Sequence, residues 1–228
     1  MFKGTHTDRK IQDVVFNFTG FGPFLNVTNN PTMELVESLK EWKKNSEFSS
    51  HIGDVRWLDV SADAVNEYIE KIIKEIEEAE KNTSSVKQVL VHLGVYAGSS
   101  TINLEKHAYN CADFRGPDNK GYQPREEKIS KKYPLEHYFR TFYPVEEIHK
   151  RLANKHKVKI SDDPGRYVCN YIFYTSMNEG YKRDIPSIFI HVPEFDKISK
   201  QEQEEFIKDF IRVSRELLLE ELSHLEKS

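Results

Sequence analysis

The sequence of 228 residues predicts a single α/β domain with an open, twisted, mostly parallel sheet and helices on both faces. Short β-branched and aromatic segments alternate with longer segments in which apolar residues recur every three or four positions. The length suits one medium-sized domain, and neither an internal repeat nor a linker divides it. We therefore assign residues 1–228 to one domain and expect residues 1–12 to form a flexible N-terminal extension.

The first half of the chain supplies three predicted strands and two predicted helices. They are a strand over 14–18 that ends in a loop over 19–24, a helix after Pro31, a strand over 55–60, a helix that begins at Ser61, and a strand over 86–93. The first helix has one apolar stripe, formed by Leu35, Val36, Leu39 and Trp42. Ser61 is a suitable N-cap, because its hydroxyl can accept a hydrogen bond from a free backbone N–H. The third strand is apolar at its centre, Val89-Leu90-Val91, which is typical of a strand buried on both sides.

The second half begins with a long segment, residues 95–140, whose polar and turn residues predict loops near the functional site. The elements predicted after it are a helix from Pro144 to about residue 155, a strand over 158–160, a helix with Cys169 in its first turn, a strand over 187–193 and a long C-terminal helix. The C-terminal helix has an apolar stripe formed by Phe206, Phe210, Val213, Leu217 and Leu218. Strands that alternate with helices in this way place a functional site at the strand ends.

The composition excludes several classes of protein. The formal charge is −4 at pH 7 and both signs are interspersed, so no basic face predicts binding to nucleic acid or to an anionic membrane. The longest apolar runs are of strand length, which is too short for a membrane span. The first ten residues lack the apolar core of a secretory signal, and two cysteines cannot form a disulfide framework. We therefore expect a cytosolic protein, in which the glycosylation-type triplets at Asn17, Asn26 and Asn82 are coincidental.

The segment around Cys169, Gly-Arg-Tyr-Val-Cys-Asn-Tyr, is the most informative in the chain. It follows a loop with Pro164-Gly165, so Cys169 falls in the first turn of a helix, where unpaired N–H groups and the helix dipole stabilise negative charge. His191 lies near the end of the apolar strand that follows. A thiol at a helix start and an imidazole at a strand end are the two components of a cysteine nucleophile system. The pair predicts a thiol hydrolase.

The same residues also have ordinary structural explanations. A lone cysteine in an apolar setting is often an inert core residue, and we assign that role to Cys111. His191 taken alone is more often a hydrogen-bonded strand residue than a catalyst, and Phe21 and Phe24 can be core aromatics. The other histidines and the glutamates of the second helix lack the spacing of a metal site, so we predict no metal.

Five motifs occur in a fixed order over residues 14–195. They are Thr19-Gly20-Phe21-Gly22-Pro23-Phe24, Asn30-Pro31, Leu104-Glu105-Lys106, Gly165-Arg166-Tyr167-Val168-Cys169-Asn170 and Phe189-Ile190-His191-Val192-Pro193. In type and order, these motifs resemble those of pyroglutamyl peptidase I, a family of cytosolic cysteine peptidases that remove an N-terminal pyroglutamate.

The resemblance implies a catalytic triad of Glu105, Cys169 and His191. The other implied site residues are Phe21 and Phe24 against the pyroglutamate ring, Asn30 and Val168 in the pocket, and Arg115 with the Cys169 backbone N–H at the oxyanion. The sequence departs from the commonest family form at Leu25, where glycine is usual, and at Val95, where bacterial members often have glutamine. Both departures concern the pocket wall and leave the triad intact. Neither a metal nor an organic cofactor is required.

The chemistry of the implied substrate suits these residues. Pyroglutamate is a flat, uncharged lactam with apolar faces, which Phe21 and Phe24 can sandwich. A free amino terminus would enter such a pocket as an unpaired charge, which is costly, so ordinary peptides are rejected. We predict a cysteine omega-peptidase that acts on pyroglutamyl peptides. Two alternatives remain, a different hydrolase or phosphorylase-like activity on the same scaffold and a non-catalytic protein that binds peptide ends, and the oligomeric state is left open.

Overall fold

The computed structural model describes residues 11–24, 27–82 and 85–225. Its strands are β1 (Asp13–Phe21), β2 (Ile52–Leu58), β3 (Val86–Val95), β4 (Ile102–Glu105), β5 (His107–Tyr109), β6 (Tyr138–Arg140), β7 (Val158–Ser161) and β8 (Ser187–Val192). Its helices are α1 (Pro31–Asn45), α2 (Ala62–Asn82), α3 (Val145–Leu152), α4 (Val168–Arg183) and α5 (Lys200–Leu225). As far as these ranges extend, no helix combines the length and the apolar content needed to cross a membrane. Leu25 and residues 1–10 of the expected extension lie outside the described residues.

Six strands form one mixed sheet in the order β2-β1-β3-β8-β4-β7. The strands β2, β1, β3 and β8 are parallel to one another. β4 runs antiparallel to β8, and β7 runs parallel to β4. β5 and β6 form a separate antiparallel pair. The predicted α/β fold with a mostly parallel sheet is confirmed, and two reversed strands occupy one edge of it.

Helices cover both faces of this sheet. The helices α1, α3 and α5 pack on one face against strand residues such as Val91 and Ile190. The helices α2 and α4 pack on the other face against Leu90 and Phe189. Because side chains alternate between the two faces along a strand, the apolar run of β3 contributes to both cores. The predicted double burial of this strand is therefore confirmed.

The main difference from the sequence prediction concerns residues 95–140, which contain three strands rather than loops alone. β4 is only four residues long, yet it is buried throughout and lies between β8 and β7 in the large sheet. A strand this short has too few residues to show a period. β1 also continues through Phe21, so residues 19–21 belong to the strand and not to a loop. Pro144 is the N-cap of α3 rather than its first residue, and this helix ends at Leu152.

The loop around Asp118 is fixed against the start of α2. The Ser61 hydroxyl accepts a hydrogen bond from the Ala64 N–H at 3.2 Å, which confirms its predicted capping role. The buried Asp118 carboxylate accepts a bond from the Ala62 N–H at 2.9 Å. It also accepts bonds from the N–H groups of Lys120 and Tyr122, both at 2.9 Å. Charge-assisted bonds of this kind hold the loop close to the functional site described below.

Candidate active site

The Glu105 carboxylate and the His191 imidazole form a buried hydrogen-bonded pair. Glu105 ends β4 and His191 lies near the end of β8, and these two strands are adjacent and antiparallel. Glu105 Oε1 lies 2.8 Å from His191 Nδ1. Glu105 is fully buried, and His191 is 6% exposed. The bond fixes the orientation of the imidazole ring and leaves Nε2 for a second partner.

The Cys169 side chain also interacts with the His191 ring. Burial by itself lowers the pKa of His191, but the hydrogen bonds and negative charges of Cys169 and Glu105 outweigh burial and raise that pKa to about 9. These neighbours therefore favour the protonated form of the imidazole when Cys169 is a thiolate. An imidazolium between a thiol and a carboxylate can pair with a thiolate and can later donate its proton to a leaving group.

Cys169 is the second residue of α4, which confirms its predicted place in the first turn of a helix. The bond from the Tyr171 N–H to the Tyr167 carbonyl, at 3.0 Å, is the first of the helical ladder. The N–H groups of Val168, Cys169 and Asn170 precede it and have no helical acceptor. They point out of the helix start, where negative charge is stabilised by the helix dipole.

Asn170 fixes the start of α4 to β5. Its Oδ1 accepts a hydrogen bond from the Tyr109 N–H at 2.8 Å. Its Nδ2 donates to the carbonyl oxygens of Tyr109 at 2.9 Å and Cys111 at 3.0 Å. Asn170 is fully buried, and its side-chain amide bonds to the backbone of the segment that follows Glu105 as a neighbouring strand would. The position of the thiol is thereby set relative to the carboxylate.

Gly94 provides the space that the thiol occupies. A Cβ atom at this position would lie 3.0 Å from Cys169 Sγ and 2.5 Å from Phe189 Cζ. Gly94 pairs with His191 between β3 and β8, so the thiol lies over Gly94 and beside the imidazole. The sequence analysis did not identify Gly94, because a glycine in a strand has many possible explanations.

We expect Gly94→Ala to reduce both turnover and the reactivity of Cys169, because the added methyl group displaces Sγ or the Phe189 ring. We estimate a loss in kcat of about tenfold or more, since a displacement of about 1 Å can cost about a hundredfold. Steady-state kinetics and the alkylation rate of Cys169 provide the measurement. Gly116→Ala is the matched control, because a Cβ there meets nothing within 4 Å. Full activity in Gly94→Ala would contradict the assignment.

The residues predicted for the ring pocket lie at the end of β1 and at the start of α4. Phe21 is buried at the end of β1, and Phe24 is half-buried in the loop that follows. Val168 is buried as the first residue of α4, directly before Cys169. These three side chains belong to the same apolar cluster, in which Phe24 packs at the margin. The structure therefore brings the predicted aromatic residues to the thiol side of the sheet.

Asn30 and Arg115 occupy different kinds of position. Asn30 is buried as the N-cap of α1, and its side chain accepts from the Thr32 N–H and donates to the Gly22 carbonyl, both at 3.0 Å. Asn30 therefore holds the loop that carries Phe24 against the first turn of α1. Arg115 is exposed, and its charge acts on the Tyr167 hydroxyl near the start of α4. A guanidinium so placed can approach an oxyanion that develops at this helix start.

Tyr167 packs against Phe24, one of the residues predicted for the ring pocket, and no pattern in the sequence marks this contact. Its ring lies between the rings of Phe24 and Phe114, with centroid distances of 5.1 Å and 4.7 Å. Its hydroxyl donates a hydrogen bond to the Pro117 carbonyl at 3.0 Å. Asn119, in the same loop, donates to the Pro23 carbonyl at 3.1 Å. The loop around Asp118 thus bonds to Tyr167, which packs against Phe24, and to Pro23, which precedes Phe24. No local sequence pattern indicates these long-range contacts.

The two cysteines differ in environment, which gives a direct prediction. Both are free and partly buried. Burial raises the pKa of Cys111, and Asp113 and Glu126 raise it further against the opposing charge of Arg166. Limited iodoacetamide near neutral pH should therefore label Cys169 before Cys111, with loss of activity in proportion to the label on Cys169. Peptide mapping against residual activity measures this.

Labelling of Cys169 should slow in His191→Ala, because the imidazolium that pairs with the thiolate is then absent. The label on Cys111 serves as the internal reference in both proteins. Activity that follows the label on Cys111 would show that the wrong nucleophile has been named.

The arrangement defines the class of protein. A thiol at a helix start, an imidazole bonded to a buried carboxylate, and free backbone N–H groups next to the thiol are the components of acyl transfer by a cysteine. An α/β fold that brings them together at one edge of its sheet suits a thiol hydrolase.

Comparisons with known proteins identify the family. The sequence profile described as pyroglutamyl peptidase matches residues 14–207. A pyrrolidone-carboxylate peptidase of Oceanobacillus iheyensis is 35% identical over 185 residues, which are 79% of this chain and 84% of that protein. One from Pyrococcus furiosus is 32% identical over 221 residues, which are 90% of this chain and 97% of that protein. The solved structure of pyrrolidone carboxyl peptidase from Thermococcus litoralis aligns with a TM-score of 0.74 at 27% identity, over 95% of this chain and 96% of that chain.

The chain belongs to the pyroglutamyl peptidase family. It is an enzyme, a hydrolase of the cysteine peptidase class. The family predicted from the five sequence motifs is confirmed.

Proposed function

We propose that this chain hydrolyses the bond after an N-terminal pyroglutamate, with Cys169 as nucleophile, His191 as general acid and base, and Glu105 as the residue that orients His191. The observation that carries the proposal is the buried 2.8 Å bond between Glu105 and an imidazole whose other partner is the only thiol at a helix start in the described chain. Family membership supports the substrate class.

The proposed reaction passes through an acyl-enzyme. The thiolate of Cys169 attacks the pyroglutamyl carbonyl and forms a tetrahedral oxyanion. The Cys169 backbone N–H stabilises the oxyanion, with Arg115 as the proposed second donor; one such donor typically contributes about 2.7–4 kcal/mol. His191 then protonates the departing amine. It next accepts a proton from the water that attacks the thioester, which releases pyroglutamate and restores the thiol.

The proposed specificity follows from the pocket walls. Phe21, Phe24 and Val168 form an apolar surface beside the thiol, and Tyr167 supports it. A planar lactam loses little hydration when it enters such a pocket. A protonated amino terminus loses much more, and the apolar side chains of Phe21, Phe24 and Val168 offer no negative charge to pair with it. Unblocked peptides are therefore excluded without a separate filter.

The test is hydrolysis of a pyroglutamyl-amide reporter beside glutamyl and prolyl reporters with the same leaving group. We expect release from the pyroglutamyl reporter alone. Comparable rates on all three would indicate an aminopeptidase without the lactam pocket. Binding of pyroglutamyl peptides without any release would favour the alternative of a protein that only binds peptide ends.

Phe24→Ala should lower kcat/KM for the pyroglutamyl reporter about tenfold or more. The pyroglutamate ring then loses its contact with the Phe24 side chain, which is worth about 1.5–3 kcal/mol. Phe24 packs at the margin of the core, so the fold should persist. The alkylation rate of Cys169 is the control measurement and should change little. Equal losses in turnover and alkylation would mean that the site has collapsed rather than lost its pocket wall.

We also propose that the protein works in a reducing compartment such as the cytosol. Both cysteines are free, and the proposed chemistry requires a reduced thiol at Cys169.

A further inference from the structure

We propose that a groove beside His191 holds the first residue of the departing peptide, and that Lys159 gives this subsite a preference for an acidic side chain. The inference rests on the proposed function, because it concerns the leaving side of the same reaction. The groove has a volume of about 370 Å³. It is lined by residues 96–101, which join β3 to β4, and by Lys159 of β7.

The strand register places the parts of the site in one row across the sheet. Gly94 pairs with His191, His191 with Asn103, and Asn103 with Lys159. Residues paired in register direct their side chains to the same face of a sheet. The thiol over Gly94, the imidazole and the Lys159 ammonium therefore lie on one face, in that order.

The acyl part and the leaving part of the substrate extend in opposite directions along this row. The proposed ring pocket includes Phe21 of β1, on the other side of β3 from β8. His191 donates its proton to the departing amine, so the leaving nitrogen lies on the β8 side of the thiol. The peptide that follows this nitrogen then continues across β4 towards β7. Since strands are about 4.8 Å apart, the Cα atoms of Lys159 and His191 are about 10 Å apart, a distance that a glutamate and a lysine side chain can span together.

Tyr96 lines the groove on the side of His191, and Asn103 lies between His191 and Lys159 in the strand register. Tyr96 is 54% exposed, and its ring centroid lies 5.7 Å from that of His191. Its N–H donates to the Val192 carbonyl at 2.8 Å, which fixes the loop over the end of β8. Asn103 is buried, and its Oδ1 accepts a bond from the Thr101 hydroxyl at 3.1 Å. The groove therefore adjoins the catalytic row at Tyr96, which packs near His191, and at Lys159.

Lys159 supplies the charge of the groove. Its side chain is exposed, and within the described ranges it belongs to no ion pair. Asp162, the first acidic residue after β7 in the chain, is already paired with Lys106 at 3.2 Å and with His107 at 3.3 Å. Glu105 is buried against His191. An exposed ammonium of this kind changes the binding of an opposite charge by about two- to fivefold at low salt.

The experiment compares kcat/KM for three amidated tripeptides, pyroglutamyl-Glu-Ala, pyroglutamyl-Gln-Ala and pyroglutamyl-Lys-Ala, at low ionic strength. We expect the glutamate peptide to exceed the glutamine peptide by about two- to fivefold, and the lysine peptide to rank last. Lys159→Gln should remove this order, and Lys159→Glu should reverse it. Lys44→Gln is the matched control: it removes the same charge from α1, which packs on the opposite face of the sheet, and should keep the order.

Equal values for the three peptides in the unmodified protein would overturn the proposal, and so would an order that Lys159→Gln leaves unchanged. The pyroglutamyl-amide reporter separates this outcome from failure of the proposed function, since it has no peptide on the leaving side. If a Lys159 variant has a lower Tm than the unmodified protein, the test becomes the effect of added salt on the peptide preference of the unmodified protein. The preference must then decline in the unmodified protein as salt screens the ammonium, and a salt-independent preference contradicts the assignment.

Discussion

Replacement of Cys169 by alanine or serine is expected to abolish hydrolysis of pyroglutamyl substrates, with a loss in kcat of about 10⁴-fold or more. The acyl-enzyme cannot form without the sulfur, and the remaining pocket and oxyanion donors supply only a small residual rate. Cys169 is partly exposed in the first turn of α4, whose position is set by Asn170, so the fold should remain intact. The measurement is kcat/KM on the pyroglutamyl reporter together with Tm.

Cys111→Ala is the matched control for this prediction. Cys111 is the other free thiol and is also partly buried, but its neighbours raise its pKa and no histidine bond to it is present in the described residues. The variant should therefore keep near-normal activity. The opposite pattern, an active Cys169→Ala and an inactive Cys111→Ala, would require a mechanism rebuilt around Cys111.

His191→Ala is expected to fail almost as completely as Cys169→Ala, because members of such a unit are strongly non-additive. The variant loses both the proton acceptor for the thiol and the donor for the leaving amine. The double variant with Cys169→Ala should be hardly worse than either single variant. Independent losses that multiply in the double variant would mean that the two residues do not act together.

Glu105→Gln should lose less activity than His191→Ala, and it should also change the pH profile. The unmodified enzyme needs a protonated His191, so its kcat/KM should fall as pH rises through the His191 pKa of about 9. Removing the negative charge of Glu105 lowers that pKa, so the alkaline decline should move to lower pH. The measurement is kcat/KM against pH for both proteins. A Glu105→Gln profile that coincides with that of the unmodified enzyme would reduce the triad to a dyad.

The sequence predicts the helices and the long strands β1 and β3 because each is long enough to show a period. The stripe of α1 and the apolar run of β3 are examples, and both are buried as expected. β4 is not predicted because its four residues lie within a long segment rich in polar and turn residues, and its place between β8 and β7 depends on pairing partners far away in the chain. Short strands of this kind are defined by tertiary contacts more than by their own residues.

The residues of the candidate site also differ in how far the sequence predicts them. Cys169 and His191 are predictable from local patterns, since one opens a helix and the other closes an apolar strand. Glu105 is found only through the family resemblance, because a single carboxylate in an irregular segment has no distinctive pattern. Gly94 and Tyr167 are found only in three dimensions, since their roles depend on the thiol and on Phe24.

The antiparallel pairing of β4 with β8 has a consequence for insertions and deletions. Along β4, Leu104 belongs to the core on one face, whereas Glu105 meets His191 on the other. A slip of one residue in this pairing would exchange the two faces, placing a carboxylate among apolar side chains and leaving the imidazole beside leucine. The loop over 96–101 can absorb a change in length at its exposed positions, but β4 itself cannot. Homologous enzymes should therefore keep the spacing within β4 constant, and changes in length should fall in the connection before it, where they alter the leaving-side groove and leave the triad in register.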